Sequence, residues 1–296
     1  MKLPRIALAI ASSLLFSVSL NATSTHTWVS ATGNDTTGNG TPARPYATFA
    51  QAVGNTSFGG MVSVLGPGDY GPVTITQSIT IDGTSGGSIG FAGDAEGVYI
   101  SAGANANIVL RNLTVDGAGT GSDAIFIASS GTTNTVNVLI DNCHLEGFTQ
   151  IGVGLGSESP TYVTIRNTAI QGGTLGVRTF QSSPLTAIND HVTIDHSSIQ
   201  GATSAGVFTR NGNVDILASS ISGTVGTNAA GIMADTNATL NVQSTMITGN
   251  TIGACIYTSS TATLATTTTI ADNATNVAAC GGAVQGAAGA GPPPRI

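Results

Sequence analysis

The sequence predicts an all-β chain, a parallel β-helix solenoid with a short helical cap at its N-terminal end. Composition points there first. Charged residues make up 8% of the 296, against roughly 25% in an average soluble domain. Hydrophobic residues make up 41%, and Gly accounts for 40 positions. So little charge with so much apolar residue excludes a disordered chain. The scarcity of Glu, Lys, Leu and Arg excludes a coiled coil or helical bundle. The second observation is a recurring phrase: a short alternating strand, an Ile two residues before a small residue, a turn, then a small residue followed by an apolar one. It is seen in VTIRNTAIQG (163–172), VTIDHSSIQG (192–201), ILASSISG (216–223) and NVQSTMITG (241–249). The third is its spacing. The marker glycines Gly117, Gly147, Gly172, Gly201, Gly223 and Gly249 lie 30, 25, 29, 22 and 26 residues apart, within the range of solenoid repeats.

Residues 1–22 read as a signal peptide. Lys2 and Arg5 form a basic start, and 6–20 is an apolar stretch too short for a spanning helix. Cleavage after Ala22 predicts an exported, secreted chain. No later stretch is long and apolar enough to span a bilayer. Beyond residue 22 no lysine remains, and six arginines stand against 15 acids. A nucleic-acid partner needs a basic face, so that class is excluded. A polyanionic partner is disfavoured unless calcium mediates it.

Residues 23–58 read as the cap. TWVSATGND (27–35) is a strand and turn, and 47–53 is a short helix with Tyr46, Phe49, Ala52 and Val53 on its apolar face. A solenoid exposes its interior at each end, so a terminal cap is required. Residues 59–280 are the β-helix, about eight coils. The apolar residues of each coil, such as Val192, Ile194, Ile199 and Val207, alternate with polar ones and face one side. No coil buries that side alone, so the coils must stack. Residues 281–296 are rich in Gly, Ala and Pro and read as a disordered tail.

WVSATGND followed by PARPYATFAQAV resembles the opening of secreted bacterial right-handed parallel β-helix proteins. GGMVSVLGPGDYGPVTITQSITIDG (59–83) is similar to the first coil of those proteins, in the wider pectin-lyase-like superfamily. The resemblance covers nearly the whole chain beyond residue 22 and implies a right-handed parallel β-helix. It implies no activity, because that fold hosts lyases, hydrolases, adhesins and proteins of unknown role.

Stacking coils about 4.8 Å apart arranges residues in columns. One column reads Asp82, Arg111, Asp141, Arg166, Asp195, Leu217, Gln243. Each Arg is expected between two carboxylates, as a structural ion-pair ladder rather than a catalytic row. One place further on stand Asn112, Asn142, Asn167 and His196. Asn tolerates the left-handed backbone of a sharp bend, so these shape a corner. A third column follows from the small-apolar openings. If Val98, Ile125, Val153, Val177, Val207 and Ile232 point inward, Tyr99, Phe126, Gly154, Arg178, Phe208 and Met233 point outward. Two residues on come Phe180, Arg210, Asp235 and Tyr257.

Tyr99, Phe126, Arg178, Phe180, Phe208 and Arg210 are therefore the candidate ligand-binding residues. Aromatic faces stack on sugars, and Arg offers bidentate hydrogen bonds. The competing reading is that a long turn, 181–191, folds over the strip and protects it.

Catalytic signatures are weak. VTIDHSS (192–198) resembles the Trp-Ile-Asp-His segment of pectate lyases at Asp195 and His196, but Thr193 replaces the Trp. The Arg-x-Pro-x-x-Arg element is missing, and Arg210 lies in FTRNGN. No Gly-His-Gly and no adjacent Asp pair occur. Asp116 and Glu146 fall next to each other in their column, within reach of the two-carboxylate spacing of glycosidases, or of calcium binding. As exposed acids they are expected simply to face water. His26, His144 and His191 are isolated and read as surface residues. No cofactor or metal site is expected. Of Cys143, Cys255 and Cys280, the last two fall in adjacent terminal coils. They are expected to form a disulfide, with Cys143 a buried free thiol. The pairing needs the coils in register, since a two-residue slip puts the Cα atoms about 8 Å apart.

The sequence thus favours a secreted β-helix that binds an extracellular polysaccharide or another surface partner. The alternatives are a polysaccharide lyase or glycosidase of the same superfamily, and a structural or adhesive envelope solenoid.

Overall fold

The computed structural model describes residues 24–103, 105–128, 135–156, 160–180, 190–280, 283–285 and 289–290. The segment 1–22 lies outside the described residues. The chain winds as a solenoid of three sheets with eleven, nine and ten strands. The strands pair in parallel, coil upon coil, in the register the repeats predict: Val163 on Val192, Ile165 on Ile194, Ile170 on Ile199, Val177 on Val207. All eight side chains are at most 1% exposed. Each such burial contributes about 1.5–3 kcal/mol, so alternation and stacking together account for the core.

Two of the three corners show how the sequence sets the turn. Between the eleven- and ten-stranded sheets the chain turns through one left-handed residue: Asn112, Asn142, Asn167, His196, Ala218 and Ser244 have φ between 45° and 58°. The Asn side chains also stitch coils together, with Asn142 Nδ2 donating to Asn112 Oδ1 at 2.8 Å. Just inside this corner runs a ladder the sequence did not reveal. Thr168, Ser197, Ser219 and Thr245 are buried. Each hydroxyl accepts the backbone N–H of the preceding coil, from Cys143, Thr168, Ser197 and Ser219 at 3.1–3.3 Å. The donors are thereby satisfied without water. At the corner entering the nine-stranded sheet, Gly176 has no room for a side chain. A Cβ there would run into Ile199 and the Gly206 carbonyl, which is why a small residue precedes the inward apolar one.

The strand Ser24–Val29 forms one edge of the eleven-stranded sheet. The helix spans Phe49–Gly54, starting two residues later than expected. Asp35 explains the shift. Its carboxylate accepts the N–H groups of Ala47 and Thr48 at 2.7 and 3.2 Å, and Thr48 caps the helix by accepting Gln51 N–H. Tyr46, Phe49, Ala52 and Val53 are buried as the apolar face requires, with the Phe49 and Tyr70 rings 5.2 Å apart.

At the other end, two short strands lie within the stretch expected to be disordered. Ala283–Gln285 pairs with Thr261–Leu264, and Gly289–Ala290 with Thr269–Ala271. The last coil otherwise presents unpaired strand edges, which take up available chain. Residues 281–282, 286–288 and 291–296 lie outside the described residues.

Cys255 and Cys280 are bonded, with Cα atoms 5.5 Å apart. The terminal register is the slipped one, for Cys255 pairs with Ala278. The strand ends at Ala279 and the chain bends at Cys280, which brings the two Cα atoms within bonding distance. Cys143 is free and buried, and burial pushes its thiol up to about 11.

Candidate functional site

The nine-stranded sheet carries the predicted strip. Val98, Ile125, Val153, Val177, Val207 and Ile232 are 0% exposed, so their successors face outward. Tyr99, Phe126, Gly154, Arg178, Phe208 and Met233 follow one another in register. Phe180, Arg210 and Asp235 form a second column two residues on. All six candidate residues are half-buried rather than open.

Side-chain contacts link five of the six, all but Phe208. The Tyr99 and Phe126 rings are 6.2 Å apart and nearly parallel. The Arg178 guanidinium lies 6.0 Å from the Phe126 ring centre and 5.4 Å from that of Phe180. The Arg210 guanidinium lies 5.4 Å from the Phe180 ring centre and is held by Asp235 at 2.7 Å. The contacts thus run from ring to cation to ring to cation, Phe126 to Arg178 to Phe180 to Arg210. Each cation–ring contact contributes about 0.5–1 kcal/mol where exposed, and more where water is excluded.

Arg178 differs from Arg210. Among the described residues it has no ion pair within 4 Å, and its Nε is buried without a hydrogen-bond partner. Burial pulls its pKa below the ordinary arginine value, partly opposed by Asp123. Asp123 is buried at the same sheet, accepts Ile151 N–H at 3.0 Å, and has its carboxyl pushed up by burial, with Ile151 N–H and Arg178 opposing. A guanidinium desolvated this far keeps donors that an incoming oxygen can satisfy.

The covering turn can be placed in part. Asp190 and His191 are strand residues, in Asp190–Asp195, and cover nothing. Residues 181–189 lie outside the described residues.

The other charged column forms ion pairs, but each Arg bonds one carboxylate rather than the two expected. Arg111 pairs with Asp82 at 2.8 Å and Arg166 with Asp141 at 2.9 Å, each on the coil before. Asp195 turns to His196 instead, at 2.7 Å. Burial pushes Asp82 up, yet hydrogen bonds from Thr84, Asn112 and Arg111 outweigh it and hold the carboxyl below its usual value. Arg166 does the same for Asp141. Asp116 and Glu146 are register partners. Asp116 is bound to Ala118 N–H at 2.8 Å, and Glu146 pairs with His144 at 3.2 Å. The remaining histidines are engaged rather than isolated. His26 stacks on Trp28, and His191 pairs with Asp215 at 3.0 Å. That last pair was invisible in sequence, because it crosses coils diagonally. Among the described residues no cluster of three metal-ligating side chains occurs, and no helix is long and apolar enough to cross a membrane.

No protein-family model and no curated protein matches the chain. Solved structures do. The crystal structure of pectate lyase Pel9A is similar over 90% of this chain and 78% of its own, at 12% identity and a TM-score of 0.56. A lacto-N-biosidase from Eubacterium ramulus is similar over 88% of this chain and 67% of its own, at 10% identity and a TM-score of 0.51. The chain has the pectin-lyase-like β-helix fold. At these identities the likeness speaks for the fold alone. What the chain does must be argued from its own side chains.

Proposed function

We propose that this β-helix is secreted after loss of residues 1–22 and binds an extracellular polysaccharide along its nine-stranded sheet. The outward strip of Tyr99, Phe126, Arg178, Phe180 and Arg210 carries the reading. Aromatic faces match the C–H faces of sugar rings, and guanidinium groups donate to sugar oxygens. Coils about 4.8 Å apart present these side chains on four of five successive rungs to a chain lying along the axis, the Gly154 rung being bare. Arg210 is neutralised by Asp235 and the sequence is net acidic, so the polysaccharide is uncharged or weakly charged.

The test is a carbohydrate array followed by a turnover assay on every hit. Binding without new reducing ends or unsaturated products supports a binding protein. Turnover moves the chain to a lyase or glycosidase, the kinds of enzyme the two reported neighbours are named as. An array with no hit leaves the structural solenoid.

A further inference from the structure

We propose that the eleven-stranded sheet carries a second sugar-binding site, built on Tyr162, His191, Asp215 and Asn241, for a short uncharged oligosaccharide lying along the coil axis. The site is on a different sheet from the strip and does not depend on it.

Tyr162 is one of few large apolar side chains left open, at 45% exposure. Its ring is braced 6.2 Å from that of His191, its register partner on the next coil. A braced, exposed aromatic is a platform for a sugar face, and its ordering is already complete before binding. One coil further, Asp215 is held from both sides. His191 Nε2 lies 3.0 Å from one carboxylate oxygen, and Asn241 Nδ2 donates to the other at 2.7 Å. Each carboxylate oxygen keeps acceptor capacity, and Asn241 keeps its own carbonyl. Side by side they offer fixed acceptors for neighbouring sugar hydroxyls.

Beyond them the surface dips into a cavity of 310 Å³ lined by Asp215, Leu217, Asn241, Gln243, Thr263 and Ala265. That is the lower end of the size range of small-ligand sites, roughly 300 Å³ upward. Ring, fixed acceptors and cavity therefore follow one another along the axis. From the Tyr162 coil to the Thr263 coil are four rungs, about 19 Å at strand spacing, the reach of three to four sugar units. Charge settles the ligand class. Among the described residues Asp215 has no Arg bonded to it, and Arg166, on the Tyr162 strand, is committed to Asp141. An anionic sugar would be repelled, whereas hydroxyl donors are accepted.

The experiment is saturation-transfer-difference NMR with cellotriose, mannotriose and xylotriose as separate probes, on the whole secreted protein, followed by titration of any binder. At least one triose should bind. Tyr162→Ala and Asp215→Asn should each weaken it about tenfold or more, with the thermal midpoint kept within a few degrees as the folding control. The proposal is overturned if none of the three binds at millimolar concentration. It is equally overturned if binding survives Tyr162→Ala in folded protein, or is lost only with Phe208→Ala. The last result would support the strip while removing this site.

Discussion

The Phe126 ring rests on Gly154, the residue that faces it on the next coil. A Cβ on Gly154 would come within 2.9 Å of the ring, and one on Gly156 within 2.8 Å. The missing rung in the strip is thus the seat of the ring below it. Gly154→Ala should tilt Phe126 off the sheet and disturb its contact with Arg178. Glycan affinity is expected to fall several-fold while the unfolding free energy changes by no more than about 1 kcal/mol, because the core side of the strand is untouched. Titration calorimetry with an array hit, beside chemical denaturation, reads both.

Phe208 tests the strip without touching the cation–ring chain. Phe208→Ala should weaken polysaccharide binding and leave the denaturation midpoint nearly in place, since the side chain faces outward. Arg178→Ala should weaken binding too, with a loss of about 1 kcal/mol from its two ring contacts. A large stability loss with unchanged affinity in both variants would mean that the strip packs under a covering segment.

Removing residues 23–58 tests the cap. The segment buries Val29, Tyr46, Phe49 and Ala52 against the first coil. Its loss should bare both an apolar interior and a sheet edge. Aggregation on size-exclusion chromatography is expected. A soluble truncation with a sharp cooperative melt would show that the segment is dispensable.

Thiol reactivity separates the three cysteines. With Cys255 joined to Cys280, denatured, non-reduced protein should show one reactive thiol. Native protein at pH 8 should show almost none, because the Cys143 thiol is buried with its pKa near 11 and the thiolate is the reactive form. Three reactive thiols in secreted, denatured protein would exclude the bridge.

Acid should weaken the coil stack through the Asp82 and Asp141 ladder. Both carboxyls are held below their ordinary value in the fold. Depressed carboxylates contribute stability that is present above the unfolded pKa, about 3.9, and lost as pH falls through the folded values. Denaturation curves should therefore lose stability below about pH 4. The Asp82→Asn, Asp141→Asn double variant should flatten that loss.

Local pattern determined much of this protein. Alternation of residues such as Val163, Ile165 and Ile170 defined which side chains are buried, and the small-apolar pairs set the phase that turns Tyr99, Phe126 and Arg178 outward. Both are properties of a strand with a period of two, so neighbouring residues suffice to state them. The Asn corner was legible for the same reason, because a left-handed residue is a local demand.

Tertiary structure decided whatever depends on two coils at once. Which carboxylate each Arg bonds, the hydroxyl ladder of Thr168 and Ser197, and the seating of Phe126 on Gly154 are set by side-chain direction across a spacing the chain traverses only after a full turn. The Cys255–Cys280 bond turned on a bend after Ala279 that no periodicity announces. The His191–Asp215 pair lies 24 residues apart in sequence and 3.0 Å apart in space. Diagonal contacts of that kind depend on register and rotamer together, and a repeat pattern specifies only the first.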